Sequence, residues 1–211
     1  MKHLLIIGAR GFGREVFNTA IDSIGYGTEF EVKGFLDDNS KALDGYVGYP
    51  AIIDSVENYI PEDDDVFICA LGDVKYKKKY ISILSKYNPP YINIIHKDAI
   101  VGKNSVLGKG CVVSTGVRIS CDVKVGDFVT INDYAVVGHD AIVGDYCHLN
   151  SYSFMGGFSE LANDVTIHTG AIITPHVKVG EGSLVGAGAV VLRNVKPSCT
   201  MIGNPARVLN F

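Results

Sequence analysis

No apolar stretch in this sequence approaches the roughly 18–20 residues of a membrane span. The amino-terminal MKHLLIIG offers one lysine, a short apolar run and a glycine, too little for a secretory signal. A basic footprint is also missing. The 19 Lys and Arg against 23 Asp and Glu leave a formal charge of −4, which argues against nucleic acid as a partner. There is no CxxC pair, and the five cysteines are an odd number. They fit a reducing compartment, where they act as small packing residues. A cytoplasmic protein is therefore expected. Apolar residues still make up 47% of the chain, enough for a real core in one large domain or two small ones.

The two halves of the chain have different periods. Residues 2–7 (KHLLII), 31–36 (EVKGFL) and 65–71 (DVFICAL) read as short strands. Helical patterns follow over about 12–24 and 74–87, so the first half is expected to be α/β, Rossmann-like, with a small parallel sheet and right-handed crossovers. The run Lys77-Lys78-Lys79 reads as a solvated helix face. From residue 101 the period changes to six. Val101, Leu107, Val113, Ile119, Val125, Ile131, Val137, Val143, Leu149, Met155, Leu161, Ile167, Ile173, Val179, Val185 and Val191 are sixteen successive sixth residues, all aliphatic or Met. The fifth residue of each hexad is small or branched, and the second is most often Gly. This is the hexapeptide signature of a parallel β-helix, in which three hexads make one rung of a triangular prism. Sixteen hexads give about five rungs, roughly 25 Å at the ~4.8 Å strand spacing. The glycines are expected at corners that need permissive dihedrals. The domains are drawn at 1–92 and 93–211.

Residues 18 apart stack on successive rungs. His139 is then expected to have Cys121 below and Gly157 above, and Asp140 to have Phe158 above and His176 two rungs up. His148 follows His139 by nine residues, half a rung, so the two are expected on different sides of the prism.

A proton transfer that builds charge on a carbonyl oxygen needs a base and an oxyanion donor. An imidazole suits the first, and a neighbouring carboxylate favours its protonated form. Backbone N–H groups suit the second, with Gly157 a candidate by stacking. The alternative for His139 is a polar residue at an outward position of the prism. His168 and His176 read as surface or ladder residues. The histidines lack the close pair that a metal site between β-helices uses, so no metal is expected.

The loop GARGFG reads G-x-x-G-x-G, not G-x-G-x-x-G. Between a strand and a helix it either presents N–H groups to an anion such as a diphosphate or is a plain tight turn. Asp37 and Asp38 end the second strand, where an acid either meets ribose hydroxyls or caps a turn.

The hexads, the segment VVGHDAIVGDYCHLN and the tail GAGAVV…MIGNPARVL resemble left-handed β-helix acyltransferases. Adding LLIIGARGFGREV, FLDD and ALGDVKYKKK, nearly the whole chain resembles the sugar O- and N-acetyltransferases of the NeuD/PglD type. The resemblance implies acetyl transfer from acetyl-CoA to the amino group of a nucleotide-linked amino-dideoxy sugar. The alternatives are O-acetylation of a sialic-acid-type sugar and a catalytically silent sugar-nucleotide scaffold. By resemblance, His139 is the catalytic base, Asp140 its acidic partner and Gly157 the amide donor. Acetyl-CoA contacts match His148, Gly157, Thr169 and Ala187. Nucleotide-sugar contacts match Arg10, Gly11, Phe12, Asp37, Asp38 and Gly72. Two positions depart from the pattern: Phe12 stands where a His is common, and Ala187 where Gly is. The family also implies a homotrimer with acetyl-CoA between neighbouring prisms, to which Val112, Val136, Ile142, Ile172 and Val190 would offer apolar contact.

Overall fold

The computed structural model describes residues 1–209; Asn210 and Phe211, included in the 93–211 domain reading, lie outside them. The chain forms two compact units, Met1–Lys97 and Asp98 onward.

The first unit is built on four strands, β1 (Lys2–Ile7), β2 (Phe30–Leu36), β3 (Ile52–Asp54) and β4 (Asp65–Cys69). They are all parallel, in the order β3-β2-β1-β4. Leu4 to Ile7 in β1 and all of β4 are buried, as continuous apolar runs in the centre of a parallel sheet should be. The edge strand β3 was not expected. At three residues it is too short to show a period. Two helices cover the sheet, α1 (Gly11–Ile21) and α2 (Val74–Leu84). In α1 the buried residues Gly13, Val16 and Ala20 form one stripe. In α2 the Asp73 carboxylate accepts the Tyr76 N–H at 3.1 Å and caps the helix. The expected helix of 74–87 is α-helical to Leu84 and ends in a 3₁₀ turn, Ser85–Tyr87, at Asn88 with φ +46°. One expectation fails here: Lys77 is only 1% exposed. It sits on the inward stripe of α2, while Lys78 and Lys79 remain in solvent.

The second unit is a parallel β-helix of two-residue strands paired at 18-residue intervals, such as Val136–Val137 with Phe154–Met155; at its end Leu184–Val185 pairs with the three-residue strand Thr200–Ile202, on which Arg207–Val208 lies antiparallel. Three faces alternate along the chain. One carries Ile100, Arg118, Val136, Phe154, Ile172 and Val190 outward and is mainly apolar. The next carries Val106, Lys124, Ile142, Glu160 and Lys178, with a 2.8 Å ion pair between Lys178 and Glu160. The third carries Val112, Thr130, His148, Thr166 and Leu184. The inward residues from Val113 to Val191 are all buried. The five apolar residues expected to form a contact surface do not share a face. Val136, Ile172 and Val190 lie on the first, Ile142 on the second and Val112 on the third, where it is 1% exposed.

The corners correct the role given to glycine. The left-handed residue is the fourth of each hexad, and it is often not glycine: Asn104, Asp122, Phe128, Tyr134, Asp140, Tyr146, Tyr152, Phe158, Asp164 and His176 all have φ near +60°. Stacking between rungs favours aromatic side chains there. Phe128 and Tyr146 lie 5.3 Å apart, and so do Tyr134 and Tyr152. Second-position glycines serve close approach instead. A Cβ on Gly138 would stand 2.6 Å from the Gly157 nitrogen of the next rung.

Candidate functional site

His139 and Asp140 occupy the third and fourth places of one hexad, at the corner between the apolar and the lysine-bearing faces. The left-handed conformation of Asp140, φ +58°, is one that Asp tolerates better than most residues. Its Oδ2 lies 2.8 Å from His139 Nδ1. A carboxylate can only accept, so Nδ1 donates, and in the neutral imidazole Nε2 presents its lone pair. Both side chains remain about half exposed, 54% and 42%. Gly157 lies over the ring: a Cβ there would be 2.7 Å from both Nε2 and Cε1. Phe158, on the same rung as Gly157, meets His139 edge-on at 5.3 Å and 89°. It stacks in turn on His176 at 5.1 Å. The ladder through Asp140, Phe158 and His176 therefore stands as the 18-residue spacing predicts. Cys121, on the rung below His139, receives the Asp140 N–H on its carbonyl at 3.1 Å.

The structure thus brings His139, Asp140 and Gly157 together. It does not bring His148 to them. His148 is 6% exposed on the face opposite that corner, with Nε2 3.1 Å from the Asn132 side-chain nitrogen. Thr169 and Ala187 stack on a second corner, at the other edge of the apolar face, where the Gly188 N–H bonds the Thr169 carbonyl at 3.0 Å.

The first unit holds a cleft of about 470 Å³. It opens at the carboxyl ends of β1, β2 and β4, where the strand order reverses and open α/β sheets bind ligands. Arg10, Phe12, Asp37, Asp38 and Gly72 line it; Gly11 does not and is the first residue of α1. Gly8 takes φ +97°, and a Cβ on Gly13 would stand 2.0 Å from the Gly8 carbonyl oxygen. The helix therefore begins backbone against backbone on the turn. Asp37 holds this loop: Oδ2 accepts the Ala9 N–H at 2.9 Å and Oδ1 the Asn39 N–H at 2.9 Å. That is the turn role left open above. Asp38 accepts a short hydrogen bond from the Tyr80 hydroxyl. Burial pushes the Asp38 carboxyl up, but the bond from Tyr80 and nearby Lys79 outweigh it and hold it below the usual range. The Tyr80 phenol is pushed up, first by that bond and then by burial. Tyr76 and Tyr80 also line the cleft and escaped the sequence reading. Their i, i+4 spacing on one face of α2 was the available signal.

Among the described residues no group of three or more His, Cys, Asp or Glu is placed to hold a metal ion. No helix among them is long and apolar enough to cross a membrane.

Residues 3–84 match the family model of the PglD N-terminal domain. Residues 122–157 and 158–193 each match the bacterial transferase hexapeptide model. Among solved structures, the acetyltransferase domain of PglB from Neisseria gonorrhoeae FA1090 superposes with a TM-score of 0.88 at 28% identity, covering 99% of this chain and 100% of that one. A mutant GDP-perosamine N-acetyltransferase from Caulobacter crescentus, in complex with CoA and GDP-perosamine, gives 0.89 at 26% identity, covering 100% and 98%. Curated relatives match over shorter stretches. The serine acetyltransferase of Synechococcus elongatus is 45% identical over 49 residues, 23% of this chain and 20% of that protein. The chain thus spans about a fifth of the length of the curated relatives it matches. A PglD N-terminal domain followed by bacterial transferase hexapeptide repeats is the domain order expected of a NeuD/PglD-type sugar acetyltransferase.

Proposed function

We propose that the protein transfers the acetyl group of acetyl-CoA to the amino group of a nucleotide-linked amino-dideoxy sugar. The observation that carries this reading is the His139–Asp140 hydrogen bond of 2.8 Å, which leaves the Nε2 lone pair under Gly157. The amine attacks the thioester carbonyl while Nε2 of His139 takes its proton. The carbonyl electrons move to oxygen, and the Gly157 N–H receives the oxyanion. The intermediate then collapses, the C–S bond breaks, and the thiolate regains the proton from the imidazolium. Asp140 holds the tautomer and the positive charge. No covalent enzyme intermediate and no metal enter this scheme.

The 1–92 domain is the sugar-nucleotide module and the 93–211 domain the acetyl-transfer module. In the former, Arg10, Gly11, Phe12, Asp37, Asp38 and Gly72 are the nucleotide-sugar contacts, and Asp37 also holds the loop through the Ala9 and Asn39 N–H groups. His148, Thr169 and Ala187 are acetyl-CoA contacts. They lie away from His139 within one chain, which supports a homotrimer whose cofactor sites are completed by neighbouring β-helices. The similarity to GDP-perosamine N-acetyltransferase over the whole chain supports amine over hydroxyl as the acceptor. The setting is cytoplasmic glycan or polysaccharide biosynthesis.

The test is thiol release from acetyl-CoA over a panel of nucleotide-linked amino sugars. His139→Ala should lower kcat by at least about 10²-fold while acetyl-CoA still binds. Unchanged turnover in the variant overturns the assignment.

A further inference from the structure

The corners of the prism differ in how they treat the N–H of the third residue of each hexad. At the corner between the lysine-bearing face and the His148 face, three successive such N–H groups are capped from the next rung. Lys109 N–H donates to Asp127 Oδ1 at 3.0 Å, Asp127 N–H to Asp145 Oδ1 at 2.8 Å, and Asp145 N–H to Asn163 Oδ1 at 2.9 Å. A short acceptor 18 residues on is therefore the fold's own device for closing this donor.

The corner that carries His139 runs Cys121, His139, Gly157, Pro175. The residue placed to cap the Gly157 N–H is Pro175, whose ring has no acceptor and packs within 2.6 Å of where a Cβ on Gly156 would be. No acceptor for the Gly157 N–H occurs among the described residues. Third-position amides at the remaining corner, such as those of Asp133 and Thr169, belong to exposed residues that water can satisfy, whereas Gly157 is buried. A buried donor without a partner is rare in folded proteins and calls for a reason.

We propose that Pro175 is a positioning residue that keeps the Gly157 N–H open for the acyl oxygen. This rests on the acetyl-transfer reading of the site. Its substitution by the ladder's own residue should close the donor. In Pro175→Asn, the side-chain Oδ1 would reach the Gly157 N–H as Asn163 reaches Asp145.

The experiment pairs Pro175→Asn with Pro175→Ala, which removes the ring but brings no acceptor. Each is measured by kcat and KM and by the Gly157 amide signal and its hydrogen exchange in the full-length protein. Pro175→Asn should shift and protect the Gly157 amide and lower kcat about 10²-fold, the usual consequence of losing one oxyanion donor, with little change in KM for acetyl-CoA. Pro175→Ala should leave the amide open and turnover close to the parent. Equal losses in both variants would make Pro175 a merely structural residue and overturn the proposal. So would an unchanged Gly157 amide in Pro175→Asn, or a capped amide with full activity. If the parent acetylates no acceptor at all, the functional reading fails, and the amide signal still decides whether Pro175 keeps the donor open.

Discussion

Gly157 lies so close over His139 that a methyl group on it would stand 2.7 Å from Nε2. The glycine is therefore required by contact with an imidazole. Gly157→Ala should force the ring off its hydrogen bond to Asp140 and lower kcat by about 10²-fold or more, while the prism, whose inward residues are untouched, keeps its melting temperature. Steady-state kinetics beside thermal melts would check this; normal turnover would mean that the ring position is not critical.

Asp140 serves two ends that substitution can separate. Its carboxylate fixes the His139 tautomer, and its backbone takes the left-handed conformation. Asp140→Asn keeps the backbone comfortable but offers an amide N–H that can hold the wrong tautomer, so turnover should fall at least about 10²-fold with little change in melting. Asp140→Ala should lose similar activity and in addition about 1 kcal/mol of stability. A fully active Asn variant would reduce Asp140 to a corner residue.

The hexad period made the β-helix, its rung stacking and the placement of Gly157 over His139 legible in advance, because a repeat of six with inward aliphatics allows one register. What escaped the sequence follows from effects with no such period. The left-handed corners are hidden because stacking between rungs makes Phe128 and Tyr146 as acceptable there as glycine. Lys77 reads as surface because a charge run implies solvent, yet its place on the helix turns it inward. Asp37 reads as a ligand contact, and only the structure reveals that its oxygens also hold the Ala9 and Asn39 N–H groups. Tyr76 and Tyr80 become cleft residues only once α2 is docked on the sheet.

The first unit carries a charged cluster whose pH response has a definite sign. The Asp65 side chain is fully buried, Lys33 Nζ lies 2.9 Å from Oδ1, and the Tyr59 hydroxyl donates to Oδ2 at 2.6 Å. Burial pushes the Asp65 carboxyl up, but bonds from Tyr59, the Glu62 N–H and Lys33 prevail and hold it below the usual range. Its contribution is therefore present above the ordinary carboxylate value of about 3.9 and is lost as pH falls through the lower folded value. Tyr59 is pushed up to about 12, mainly by burial and then by its bond to Asp65. Its share is present below the unfolded value of about 10 and lost as pH rises through 12. Asp65→Asn should lower stability near neutral pH by about 3 kcal/mol and flatten the acid limb of the stability curve. Melts from strongly acid to neutral pH would show a retained acid limb if Asp65 were not its source.

The apolar face of the prism lies between the corner of His139 and the corner of Thr169 and Ala187, and this has a consequence for assembly. On it Phe154 and Ile172 are 41% and 37% exposed, stacked on successive rungs, whereas the neighbouring face is laced by the Lys178–Glu160 ion pair. A charge on the apolar face should separate copies of the chain, because a carboxylate buried there would have no partner. Ile172→Asp is expected to give monomers by light scattering with an unchanged circular dichroism spectrum. On the proposed assignment turnover should fall steeply as well, because the corner of His139 and the corner of Thr169 and Ala187 sit at opposite edges of this face and would meet only across a subunit contact. Glu160→Gln, on the lysine-bearing face, should change neither assembly nor turnover. Should the Ile172→Asp monomer keep its full activity, the site is complete within a single chain, and the placement of acetyl-CoA between neighbouring prisms is wrong.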